Sequence, residues 1–377
     1  MALRFIHTAD WQIAKPFTRF PDQLAGELAA ARLSAIGRIA ALARRHGAAH
    51  VLVAGDVFDN DRLDALTLRR ALEHMRAESD IAFLLLPGNH DPAKAGGIWE
   101  RVARLGVPAN VTVLDAACAH VLGPECVVLP APLTSKSPGR DPTEWMASAQ
   151  SAPGQIRIGL AHGSIQGFSS DGGSSVSIAP DRAARAGLAY LALGDWHGTT
   201  RVDPRTWYSG TPEPDRFPDN DPGNVLAVTI AAAGAPPVVT SLRSAQFTWV
   251  KREAMLADAA DIAALEAALS GLAPSLTSVL LRLRLNGSLT LAGEAALRQW
   301  QETLEGRLRH LELDDTALIV RANADDLAIA GEDGALRDAA GALAAISNDP
   351  GRSDSAAAMR ALQMLYAFAA KARQEGA

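Results

Sequence analysis

Residues 50–59 read His-Val-Leu-Val-Ala-Gly-Asp-Val-Phe-Asp. A short apolar run with two valines, closed by a glycine, predicts a buried strand over 50–54. Asp56 and Asp59 fall just past its end. The same grammar recurs along the chain. A run over 3–7 leads into Asp10 and Gln12, and one over 81–86 leads into Gly88-Asn89-His90-Asp91. Residues 156–161 lead into His162-Gly163, and 190–193 into Gly194-Asp195-Trp196-His197. Helical apolar spacing fills 24–46 and 64–79, so strands and helices alternate. That alternation predicts an α/β fold with parallel strands joined by right-handed crossovers. Shorter strands are expected at 111–114, 120–122 and 127–129.

Ligands in open α/β sheets bind beyond the carboxyl ends of the strands. Five such ends would project carboxylates, imidazoles and an amide into one crevice. Hard oxygen donors mixed with neutral imidazole suit divalent Mn, Fe, Zn or Mg. So many carboxylates would repel one another without a cation. Taken singly, each residue is ordinary: an Asp after a strand caps a helix or makes a turn, and a lone His fills a core. His7, His46, His50, His74, His120 and His310 are read in that ordinary way. The ordered set carries the signal.

The 377 residues suggest two or three domains. With 48% hydrophobic and 21% charged residues, the composition excludes disorder as the dominant state. No run approaches the ~18 apolar residues of a membrane span, and the first residues lack a secretory core, so a cytoplasmic protein is expected. Two cysteines without a CxxC exclude a disulfide scaffold and a cysteine-built zinc site; both are expected to be buried thiols. The net charge of −6 argues against coating nucleic acid by bulk basicity. Residues 1–225 hold 22 basic and 24 acidic residues. Two divalent ions would make that part positive, so local attraction for a phosphate-bearing substrate remains open. Pro, Asp and Gly crowd 212–224, which places a boundary there. The expected division is 1–224, an α+β unit over 225–330, and a helical tail over 331–377. Residues 163–177, rich in Gly and Ser, read as a flexible loop without a nucleotide P-loop pattern.

The order D-x-Q, GD-x-x-D, GNHD, A-H-G, GD-x-H resembles the calcineurin-like metallophosphoesterases. Within them, HTADWQ, GDVFD, GNHD, LAHGS and the later YSGTPEPD look like the SbcD-type DNA repair exonucleases, over roughly residues 3–225. The resemblance implies a sandwich of two mixed β-sheets flanked by helices, followed by a small cap domain. It implies two divalent metals, Mn²⁺ foremost with Mg²⁺ or Fe as alternatives. Asp56 would bridge them, Asp10, Gln12 and His197 completing one site and Asn89, His162 and Asp195 the other. His90 would be the general acid, with Asp59 hydrogen-bonded to its imidazole. DNA and an SMC-like ATPase would be the partners, and a homodimer is possible.

Two positions depart from the family pattern. Gln12 stands where a His is usual, and Asp195 where the first His of G-H-x-H is usual. A Gln carbonyl is a weaker ligand, so the first metal should bind loosely. Asp195 adds an anion that strengthens the second site for hard cations. Trp11, Trp196, Trp207 and Tyr208 are candidates either for stacking on bases or for packing in the core. The apolar face of Met359, Leu362, Leu365, Tyr366 and Ala369 is expected to pack on its own cap domain. Two other readings stay open, a small-molecule phosphoesterase and a non-catalytic DNA-end or ATPase-binding subunit with a vestigial metal site.

Overall fold

A computed structural model describes residues 2–167, 176–217, 219–328, 334–349 and 351–375. Most of the loop expected over 163–177 lies outside the described residues. The chain forms two compact units, Met1–Phe247 and Thr248–Ala377.

The first unit begins with β1 (Leu3–Thr8), α1 (Asp22–Arg45), β2 (His50–Val53), α2 (Ala65–Ala77), β3 (Ala82–Leu85), α3 (Ile98–Leu105) and β4 (Val111–Val113). It continues with β5 (His120–Gly123), β6 (Cys126–Ala131), β7 (Ile156–His162), β8 (Ser164–Ile165), β9 (Ser177–Ile178), α4 (Arg182–Arg185) and β10 (Tyr190–Gly194). It closes with β11 (Thr200–Arg201), β12 (Thr206–Tyr208), β13 (Asn224–Ile230) and β14 (Val238–Arg243). Two six-stranded mixed sheets result, in the orders β14-β13-β1-β2-β3-β4 and β11-β12-β10-β7-β6-β5.

The central strands β2, β3, β7 and β10 are largely apolar and buried because both of their faces are covered, while the edge strands β5, β11 and β14 are partly exposed. Alternation on β2 sends Val51 and Val53 toward α1, α2 and α3, while Leu52 meets the second sheet. On β10, Tyr190 and Ala192 face the first sheet, and Leu191 and Leu193 face outward under Met146 and Ala183. α2 starts where Asp64 accepts the Thr67 N–H. His7 joins the two layers from β1: its Nε2–H donates to the Leu193 carbonyl at 3.1 Å, and Nδ1 accepts from the Tyr190 hydroxyl at 3.0 Å. Burial pushes this imidazole down to about 3 despite that carbonyl, so it is neutral in the fold.

The boundary expected at 224/225 lies instead after Phe247. β13 pairs antiparallel with β1, from Leu3 opposite Ile230 to His7 opposite Leu226, and β14 pairs with β13. The Pro- and Gly-dense stretch before β13 is a buried loop of the first unit, not a linker. Its Glu213 carboxylate accepts the Gln246 and Phe247 N–H groups and pairs with Arg38.

The second unit holds β15 (Thr248–Leu256), α5 (Ala259–Ser270), β16 (Val279–Leu289), α6 (Leu291–Glu305), β17 (His310–Val320), α7 (Ala324–Ala328), α8 (Ala335–Ser347) and α9 (Ser355–Glu375). Its three strands pair in parallel with α5 and α6 as crossovers, so the expected α+β unit is a βαβαβ layer. α5 opens on an Asp258/Asp261 capping box. The expected tail is part of this unit: Leu362, Ala340 and Ala344 bury against Leu291, with Met359, Leu365 and Tyr366 alongside. Cys126 is buried, its thiol pushed up to about 12, but Cys118 is exposed, against the expectation of two buried thiols. No described helix is long and apolar enough to cross a membrane.

His7 gives a pH test. A buried imidazole that stays neutral contributes stability fully present above about 6.5 and lost as pH falls from there toward about 3. Denaturant unfolding of the wild type should lose about 1.4 kcal/mol per pH unit more than His7→Gln across that window. Parallel pH profiles for the two proteins would overturn the assignment.

Candidate metal centre

The expected residues lie at the carboxyl ends of β1, β2, β3, β7 and β10. Asp10, Asp56 and His162 converge closely enough to share one ion, each offering an atom within 4.8 Å of the others. His162 Nε2 stands 3.5 Å from Asp56 Oδ1 and 3.7 Å from Asp195 Oδ1. Asn89 Nδ2 lies 3.4 Å from Asp195 Oδ1. The His162 Nδ1–H donates to the Ala54 carbonyl at 2.9 Å, which aims Nε2 into the crevice.

Glycine makes the approach possible. A Cβ at Gly88 would sit 2.2 Å from Asp56 Oδ1, and one at Gly55 would sit 2.3 Å from the His162 ring. The ligand backbone is itself strained. Five described non-glycine residues have positive φ, and four of them are Asp10, Gln12, Asp56 and Asp195. Such strain persists where the surrounding structure imposes it for function.

Two buried atoms, His162 Nε2 and Asn89 Oδ1, have no hydrogen-bond partner. A buried orphan costs about 1–3 kcal/mol, and both atoms are good metal donors. The residues therefore fit a divalent ion. Charges agree. Burial lifts the Asp10 carboxyl to about 6, with Asp56 and Asp195 adding to the effect against His197 and His162. Burial alone would lower the basicity of His162, yet Asp56, Asp10 and Asp195 outweigh it and raise it to about 9. A proton on His162 thus offsets part of a negative charge that a metal would neutralise more fully.

Gln12 and His197 form the other half. Gln12 Nε2 meets His197 Nε2 at 3.3 Å, and Gln12 Oε1 accepts from Lys15 Nζ at 2.7 Å. His197 Nε2 lies 3.8 Å from Asp10 Oδ1. His90, 44% exposed, places Nε2 3.9 Å from Asp56 Oδ2, and its backbone N–H donates to Asp56 Oδ1. The expected contact with Asp59 is corrected in kind: His90 Nδ1 bonds the Asp59 main-chain carbonyl at 2.7 Å, not the carboxylate. That carbonyl is held because the Asp59 N–H donates to Ile13 beside the Ile13–Phe58 bridge.

Four residues without an expected role support the site. Asp91 accepts the Phe58 and Gly88 N–H groups, tying the two acidic loops together. Burial, then Asp56, holds its carboxyl well above the usual range. Arg32 donates to the Trp11 and Glu213 carbonyls from inside the protein. Asp215 faces His197 Nδ1 at 3.5 Å and Lys15 Nζ at 2.5 Å. Burial opposes its charge, but His197, Arg32 and Lys15 hold it well below the usual carboxylate range. Arg32 had a visible signal, being the one cation on the apolar stripe Leu28-Arg32-Ile36 of α1. Two stacking candidates are core residues. Trp11 is buried on Thr8, and Tyr208 bonds the Ile165 N–H and the Gly163 carbonyl. Trp196 and Trp207 are half-buried.

Relieving strain at Asp195, whose φ is 101°, should trade stability against binding. Asp195→Gly should unfold about 1 kcal/mol later than wild type in EDTA, while gaining less stability on adding Mn²⁺. Thermal melts in both conditions check this; a variant less stable in EDTA would refute the strain.

Among solved structures the chain is similar to TT1561 of Thermus thermophilus, at 10% identity and a TM-score of 0.41, covering 64% of this chain and 100% of that one. No curated protein matches it. The family model for calcineurin-like phosphoesterases matches residues 3–199, which include every expected metal ligand. The chain belongs to the calcineurin-like phosphoesterase family, and its centre is that of a metal-dependent phosphoester hydrolase.

Proposed function

We propose that the chain is a DNA phosphodiesterase, the nuclease subunit of a repair complex driven by an SMC-like ATPase, working in the cytoplasm and able to pair with a second copy. The DNA and ATPase parts are supported by the likeness of HTADWQ, GDVFD, GNHD, LAHGS and YSGTPEPD to SbcD-type exonucleases. Two divalent ions are proposed, Mn²⁺ foremost. Asp10, Gln12, Asp56, Asn89, His162, Asp195 and His197 would hold such ions, which would supply charge neutralisation and activation of water near neutral pH.

The observation that carries the hydrolytic reading is the placement of His90. It reaches solvent at the rim, beside Asp56, with Nδ1–H fixed on the Asp59 carbonyl. That leaves Nε2 to carry the proton a departing alkoxide needs. A main-chain carbonyl orients the ring and supports the imidazolium without adding a charge that would repel phosphate. Asp56, 3.9 Å from Nε2, marks the side of the ring that faces the crevice. Asp91 and Gly88 hold the loop that carries it.

A second reading, hydrolysis of a nucleotide or similar small phosphoester, is favoured by the burial of Trp11 and Tyr208, which removes two of the four residues considered for base stacking.

End-labelled single- and double-stranded DNA should be shortened or nicked in Mn²⁺ and spared in EDTA. His90→Ala should lose about 10²–10⁴ in kcat while binding the same amount of metal. Cleavage of nucleotides but not DNA would favour the second reading. DNA cleavage indifferent to His90→Ala would remove His90 from the chemistry, and no hydrolysis of any phosphoester would leave the vestigial-site alternative.

A further inference from the structure

The two halves of the centre are unequal in a way neither the fold nor its expected ligands require. On the Asn89/His162 side, two buried donor atoms lack hydrogen-bond partners, and the Asp56 and Asp195 carboxylates lie 3.5 and 3.7 Å from His162 Nε2. The Gln12/His197 side is already satisfied. Gln12 Oε1 accepts from the Lys15 ammonium, and Gln12 Nε2 stands 3.3 Å from His197 Nε2. Behind them, His197 Nδ1 meets Asp215 at 3.5 Å and Arg216 at 3.4 Å. Three cations converge on that Asp215: Lys15 at 2.5 Å, Arg216 at 3.7 Å and Arg32 at 3.8 Å. A divalent ion entering there must displace the Lys15–Gln12 bond, free His197 Nε2 and approach three positive groups. One entering the other side displaces only the His162 proton, partners the Asn89 Oδ1 and His162 Nε2 atoms, and relieves repulsion more fully than that proton does.

Resting on the metal-dependent reading above, we propose that the centre loads in two steps, a first ion on Asp56, Asn89, His162 and Asp195, and a second that enters only against Lys15, whose ammonium acts as a built-in competitor for the Gln12/His197 side. Lys15 is suited to compete. Its side chain is 26% exposed, and its flexible stem lets the ammonium swing out without disturbing the core. Arg32 is buried and bound to main-chain carbonyls, so it cannot leave. Occupancy of the second position therefore tracks metal supply, and a phosphate group bridging the centre would help draw the ammonium away from Gln12.

Calorimetric titration of the metal-free full chain with Mn²⁺ alone tests this without any activity measurement. The wild type should show one tight equivalent and a second at least about ten-fold weaker. Lys15→Met keeps the stem and removes the charge; it should tighten the second step by about ten-fold or more and leave the first unchanged. Lys15→Arg, which keeps a cation, should retain the weak second step, and equal melting temperatures of the metal-free proteins would show that the fold is intact. Two equally tight equivalents in the wild type, or a second step unmoved in Lys15→Met, would overturn the proposal while leaving metal dependence standing. No Mn²⁺ binding at all would overturn the metal-dependent reading itself.

Discussion

Mutual repulsion among Asp10, Asp56 and Asp195 is the constraint around which the first unit is arranged. These carboxylates are brought together where water can do little to screen them, and burial together with their mutual charge lifts the Asp10 carboxyl. The protein answers with a cationic His162 and with backbone held in left-handed conformations at the ligands themselves. It also adds a carboxylic group, Asp91, whose two N–H partners lock the loops in place. Each device opposes the collapse or splaying that the charges would otherwise cause. The rigidity of the two flanking sheets makes this possible, since every ligand loop begins at the end of a strand covered on both faces.

The sheets and the crevice were legible because apolar runs ending in Gly-Asp, Gly-Asn-His or Ala-His carry both the strand and its site in one stretch. What escaped notice depended on distance along the chain. The pairing of β13 with β1 joins residues more than two hundred positions apart, and no local pattern announces it. Pro and Gly density before β13 suggested a linker because such residues are needed equally in a buried loop, where Glu213 and Asp215 are bound internally. The first half of β17, His310-Leu-Glu-Leu-Asp-Asp, is half-buried and mixes polar with apolar residues, so it carries no continuous apolar run to mark it as a strand.

At the site, the ligand types were readable but their partners were not. Asp59 contributes a main-chain carbonyl, a group every residue possesses, so its side chain was a misleading guide. Lys15 lies three residues beyond Gln12 in an unremarkable loop, and only the folded geometry brings its ammonium to the amide oxygen. Trp11 and Tyr208 followed the commoner fate of large aromatics and fill the core. The second unit is simpler: capped helices and parallel strands close over a leucine core that includes Leu269, Leu281, Leu283 and Leu304, with a smaller apolar cluster around Leu291 and Leu362.

The place of β13 beside β1 has a consequence for biosynthesis. β1 leaves the ribosome more than two hundred residues before the strand that covers its outer edge is complete at residue 230. At roughly 5–20 residues per second, that edge stays open for about 10–40 s. During this interval Leu3–Thr8 can pair with any passing extended chain. The nascent polypeptide must then be shielded by a chaperone or kept dilute, and heterologous expression at reduced temperature, with slow initiation, would favour recovery of intact chain over inclusion bodies.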